Sequence, residues 1–188
     1  MDGLEYVDIH HVYPVTSGLL DRAAHMVRIA RARCKPVIVG EARLYKASRS
    51  ELRWGAASGP IFARDVFDFW APLDQAFIET IMRWASAKGV EFLSFFWSKY
   101  FFAYVDYAPA QERLSPVHLL HLTDAAAVAS LLRGELSSTG IRYRTLIAAY
   151  ALAGAGAEFP RSPASRERTE VCRVVSPLVR TLSQTGGL

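Results

Sequence analysis

Glu41, His11, Tyr13 and Trp97 are the residues whose types and spacing suit chemistry. Glu41 closes "KPVIVGE" at 35–41, where Val37, Ile38 and Val39 make a continuous apolar run of the kind that forms a doubly covered parallel strand. A carboxylate ending such a run faces a cleft at the strand's C-terminal end. In the preceding run, "LEYVDIHHVYP" at 4–14, His11 and Tyr13 have the same parity and therefore point to one side of a strand. Trp97 occupies the corresponding end of the following run, "VEFLSFFWS" at 90–98. A hydroxyl and an imidazole beside a carboxylate hydrogen-bond its charged form, which holds it ionised and oriented.

Each residue also has a plainer reading. Glu41 can be a solvated strand-end charge or the partner of Arg43, His11 a satisfied histidine, Tyr13 a packer of the turn before Pro14, and Trp97 a core residue. His10 reads as non-catalytic. Trp54 and Trp70 lie on a long connection, where they can line a binding site or simply pack. His118 and His121 are three residues apart, but no carboxylate accompanies them at metal-ligand spacing, so no metal and no cofactor is expected.

Helical patterns separate the three strand-like runs. After Thr16 and Ser17, either able to cap a helix, Leu20, Ala23, Val27, Ala30 and Cys34 recur at three- and four-residue spacing. Leu73, Phe77, Ile81 and Trp84 repeat the pattern, and Lys88-Gly89 supplies a stop. Strand, helix, strand, helix, strand predicts parallel strands joined by right-handed crossovers, hence an α/β fold. Connections into strands are short, whereas those leaving strand ends, at 42–71 and 98 to about 123, are long. In α/β folds, ligand-binding loops leave the C-terminal ends of strands. Further on, a short helix is expected near Ala125 to Arg133, closed by Gly134, and a final one near Gly140 to Leu152, entered through "SST".

The composition is that of a globular chain: 188 residues, 51% hydrophobic, with a formal charge of +4. No apolar stretch reaches the roughly 20 residues of a membrane helix, and the N-terminus lacks the order of a signal peptide. Cys34 and Cys172 are too few for a disulfide framework or a four-thiolate metal site and read as two separate thiols. A basic C-terminal stretch holds Arg161, Arg166, Arg168, Arg173 and Arg180 without interleaved aromatics, so a solvated tail is expected rather than a nucleic-acid surface.

The order "HVYP", "KPVIVGE", "FLSFFWS" resembles the last three strand–helix units of glycoside hydrolases of the clan that includes family 5 cellulases and mannanases. In that family a His-x-Tyr ends the sixth strand, a nucleophilic Glu the seventh and a Trp the eighth. The resemblance covers residues 4 to about 152 and implies a partial TIM (β/α)8 barrel, strands 6 to 8 plus C-terminal helices. It divides the chain into a barrel portion at 1–153 and a linker with a basic, weakly ordered tail at 154–188. It implies a retaining glycosidase acting on β-linked oligo- or polysaccharide, with Glu41 as nucleophile, Tyr13 and His11 orienting it, and Trp97 and Trp54 contacting the sugar.

The family's acid/base Glu is preceded by Asn and ends the fourth strand. This chain contains no Asn, and "EARLYK" departs from the family pattern after the nucleophile. Catalysis is therefore expected to need a complementing N-terminal half, and three doubly apolar strands predict self-association where that half is missing. The expected partners are a carbohydrate and such a half, with no nucleic acid and no membrane. The alternative is a non-catalytic carbohydrate-binding or structural barrel remnant. A nucleotide-binding module is disfavoured because "GAGAEF" at 154–159 follows a helix instead of joining a strand to a helix start.

Overall fold

The structure is a computed structural model, and it describes residues 6–13, 17–48, 50–51 and 58–156. Trp54 and the tail beyond residue 156 lie outside the described residues. The strands are β1 (Val7–Asp8), β2 (His11–Val12), β3 (Val37–Ala42) and β4 (Phe92–Phe95). The helices are α1 (Ser17–Ala32), α2 (Ser58–Arg64), α3 (Ala71–Lys88), α4 (Pro116–Leu132) and α5 (Ser138–Gly156), with 3-10 turns at Asp68–Trp70, Ser98–Phe101 and Pro109–Arg113.

All pairings are parallel. Strand β3 is central, flanked on one side by β1 and β2 and on the other by β4. The fold is therefore mixed α/β with a small parallel sheet of four strand segments, as the alternation of runs predicts. One sheet face is dry: Ile9, Val12, Val37, Val39 and Ala42 are buried against Ala23, Val27 and Ala30 of α1 and Ile81 of α3. Those three α1 residues are the three- and four-spaced positions that the sequence marks, and apolar burial of this kind is the main stabilising term.

Both crossover helices end in a left-handed residue. Gly89 (φ 66°) donates to the Ser86 carbonyl, and Val90 to that of Ala85, which closes α3 where Lys88-Gly89 predicts. Helix α1 ends in the same way without a glycine. Cys34 (φ 53°) donates to Arg31, and Lys35 to Ala30. Cys34 is disulfide-bonded, which corrects the expectation of two separate thiols.

The predicted helix near Ala125 begins nine residues earlier. Ser115 caps α4 by accepting from the His118 N–H, and Pro116 occupies the first turn, where its missing N–H costs nothing. Helix α5 starts at Ser138, two residues before the expected Gly140. The two long connections carry structure of their own. Ala63, Val66 and Phe67 from the first form a second core with Leu119 of α4, and Phe67 bridges to Val105 of the second.

Candidate functional site

The first strand is broken between β1 and β2, and the break assembles the site. Ile9 donates to the Ile38 carbonyl at 2.9 Å, and in an unbroken parallel ladder the Gly40 N–H would return to Ile9. It bonds Asp8 Oδ1 instead, at 3.0 Å. The ladder resumes one residue out of phase, with Glu41 donating to the His10 carbonyl at 2.6 Å and Arg43 to that of Val12 at 3.1 Å. Parity therefore flips: Ile9 and then Val12 face the core. Asp8, His10, His11 and Tyr13 all come to the other side, as bulges do when they re-aim side chains near functional sites.

Gly40 has a steric reason to be glycine. A Cβ there would sit 2.8 Å from His10 Nδ1 and 3.0 Å from both carboxylate oxygens of Asp8. The backbone conformation makes no such demand, since its φ lies outside the left-handed range. The gap is filled by the side chains that flank Glu41.

Glu41 pairs in register with His11 across β2 and β3. Its Oε2 accepts a hydrogen bond from the Tyr13 hydroxyl at 2.5 Å and lies 3.3 Å from His11 Nε2. Its Oε1 lies 3.7 Å from His10 Nε2, and the other ring nitrogen of His10 lies 3.2 Å from Asp8 Oδ2. Burial pushes the Tyr13 phenol well above its ordinary pKa, and the hydrogen bond and charge of Glu41 add to this. Tyr13 is therefore a fixed donor. Both imidazoles are exposed, at 58% and 61%, whereas the Glu41 side chain is 26% exposed, so the cluster opens to solvent with its carboxylate at the base.

Three of the residues predicted for the site, Glu41, Tyr13 and His11, thus stand together. Trp97 stands further along. It follows β4 in a left-handed conformation (φ 62°), with ring contacts to Phe62 and Phe96 and with Lys99 Nζ 4.3 Å from the ring centroid. Phe96, which the sequence did not single out, bridges the two places: its ring is 6.0 Å from Tyr13 and 5.1 Å from Trp97. Trp70 packs on the second core and donates its indole N–H to the Arg64 carbonyl at 2.9 Å. His118 and His121 line a surface pocket with Ser115, Val117 and Leu122, a set without a carboxylate. His10, set aside in the sequence, is the further member of the cluster, brought there by the break in the strand.

Arg43 does not pair with Glu41. It turns into the protein and forms an ion pair with Asp65, the two side chains being 5% and 1% exposed. Lys46 pairs with Asp74 at 2.8 Å, and Asp74 also accepts from the Tyr104 hydroxyl at 2.8 Å. These residues, with Trp97 and Tyr100, line a cavity of about 40 Å³, room for a few waters rather than a sugar ring. Burial lowers the Arg43 guanidinium to about 10, still fully charged at neutral pH beside Asp65.

Comparison of the chain with family models, with curated proteins and with solved structures finds no match. Among the described residues no helix is long and apolar enough to cross a membrane.

Proposed function

We propose that the chain is the portion of a retaining β-glycosidase-type barrel that carries the nucleophile, with its strands in the places of the sixth, seventh and eighth. The observation that carries this reading is the 2.5 Å hydrogen bond from Tyr13 to Glu41 Oε2 at the C-terminal ends of adjacent parallel strands. A retaining mechanism needs a carboxylate that attacks the anomeric carbon and a second carboxyl group that protonates the leaving oxygen. Glu41 is the first. Tyr13 fixes one of its oxygens by a directional bond, His11 flanks that same oxygen, and the other lies 3.7 Å from the exposed imidazole of His10. Trp97, with Phe96, supplies aromatic surface beside the cleft, and the leaving-group acid comes from outside this chain.

Support also comes from the sheet. One face is covered by α1 and α3, while the face bearing Asp8, His10, His11 and Glu41 is the side that would look into a barrel. The test separates attack from acid catalysis. A 2-deoxy-2-fluoroglycosyl fluoride has a leaving group that needs no protonation, so the chain alone should form the glycosyl ester. The expected mass increment falls on the peptide containing Glu41 and is lost in Glu41→Gln. A label on another residue, or none with any β-configured donor, overturns the assignment.

A further inference from the structure

The structure assigns a second capacity to this cluster: His10, His11 and Glu41 form a binding site for a divalent first-row transition ion of the zinc class. Each residue offers one ligand atom, and the three atoms lie within 4.8 Å of one another. A tetrahedral zinc ion with ligands at about 2.0–2.1 Å requires ligand atoms roughly 3.3 Å apart. His11 Nε2 is 3.3 Å from Glu41 Oε2, and His10 Nε2 is 3.7 Å from Glu41 Oε1. Those two distances run to different carboxylate oxygens, and the widest separation in the set, up to 4.8 Å, must close by about 1.5 Å around a single ion, a movement within reach of two exposed imidazoles.

Two further features favour a metal over a chance meeting of polar groups. Asp8 Oδ2 lies 3.2 Å from His10 Nδ1, so the carboxylate accepts a hydrogen bond from the Nδ1–H, and in that tautomer the Nε2 lone pair is on the side of Glu41. A metal-bound histidine commonly has such a carboxylate behind it. Asp8 is itself held by the Gly40 N–H, and Tyr13 fixes the Glu41 carboxylate, so an outer ring of hydrogen bonds orients two of the three ligands. Two imidazoles and one carboxylate select zinc, copper, nickel or cobalt over magnesium and calcium, which take oxygen ligands. Three protein ligands at an open surface leave a fourth position for water or an exogenous ligand.

The inference does not rest on the glycosidase reading, although it bears on it. A bound ion takes the carboxylate lone pairs that attack would use, so the two occupancies of Glu41 exclude each other. The experiment is calorimetric titration of the full 188-residue chain with Zn²⁺, without any sugar, paired with the visible spectrum of its Co²⁺ complex. One ion per chain is expected, with affinity lowered at least tenfold by His10→Ala and by His11→Ala, and the intense tetrahedral Co²⁺ bands lost in both. Asp8→Asn should weaken binding by about 10- to 100-fold, the usual effect of removing an outer-shell partner. Zn²⁺ binding is read without any sugar and glycosyl-ester formation without any metal, so failure of this inference is distinguished from failure of the hydrolase reading; Tyr13→Phe should weaken the ion no more than Asp8→Asn does. His118→Ala should change nothing. The proposal is overturned by absence of saturable Zn²⁺ binding, by equal affinity in both histidine variants, or by loss of the ion in His118→Ala.

Discussion

Two polar clusters lie within six residues of each other around the end of β3, and they behave oppositely. Glu41 is reached by solvent and has three donors or ligands around it, two of them exposed imidazoles. Arg43 and Lys46, just beyond, are buried and each is matched to one aspartate from the α2–α3 region, Asp65 and Asp74. The first cluster concentrates capacity on one acceptor and leaves room for a substrate or ion. The second pairs charge with charge around a cavity too small for either a sugar or a nucleotide. Polarity alone is therefore a poor guide to function. Access decides.

The sharpest way to break the comparison is to substitute one member of each cluster. Asp65→Ala leaves the Arg43 guanidinium buried beside an absent partner, and loss of one member of such a pair costs about 3–5 kcal/mol. Glu41→Gln removes a charge that is partly exposed, with neighbours that water can reach, so its cost should stay within about 0.5 kcal/mol. Urea unfolding of both variants measures the contrast. Equal losses would make the Glu41 cluster as structural as the other. Replacing both Arg43 and Asp65 with apolar residues of similar volume should restore most of the stability, since a buried ion pair exceeds a well-packed apolar pair little if at all.

Gly40→Ala comes next in size, because it strikes the seam between the two sheet segments. The added methyl must push the side chain of His10 or Asp8 by several tenths of an ångström, and because both are open to solvent and can yield, the expected loss is about 1 kcal/mol. The same variant should disperse the His10–Asp8 contact, seen as a change in the His10 ring signals by NMR. Unchanged signals and stability would show that the parity flip does not depend on this contact.

Much of this architecture was legible in the chain. Apolar spacing located α1 and α3, Gly89 marked its cap, and the shared parity of His11 and Tyr13 brought them correctly to Glu41. What could not be read was a change of phase within a strand, because it lies in hydrogen bonds rather than in residue types. Gly40 held the hint: glycine inside a strand signals a bulge or close approach, and His10 is the group that approaches. The partners of Arg43 and Lys46 were hidden for a different reason. They come from residues 22 and 28 positions away, across the long connection that follows β3. The start of α4, by contrast, was readable in Ser115-Pro116, a cap followed by a first-turn proline. Ser115→Ala should accordingly lower stability by about 1 kcal/mol while leaving both β3 clusters and their chemistry untouched.

The smallest effect belongs to a charge that resembles Glu41 in exposure and differs in its partners. Glu51 accepts from Arg64 at 2.6 Å and from the Ser48 N–H at 2.7 Å, and these bonds hold its carboxyl down to about 2. Its folded pKa lies below that of the unfolded chain, so its contribution is present in full above about pH 4.5 and disappears as pH falls through about 2. Because the group is solvent-exposed, screening keeps that contribution small. The expected result is a carboxyl ¹³C titration of Glu51 with its midpoint near 2, moving up toward the ordinary value in Arg64→Gln, with little change in unfolding between pH 5 and 8. A midpoint near 4.5 in the unsubstituted chain would show that a surface arginine bonded to a carboxylate exerts no measurable hold on it.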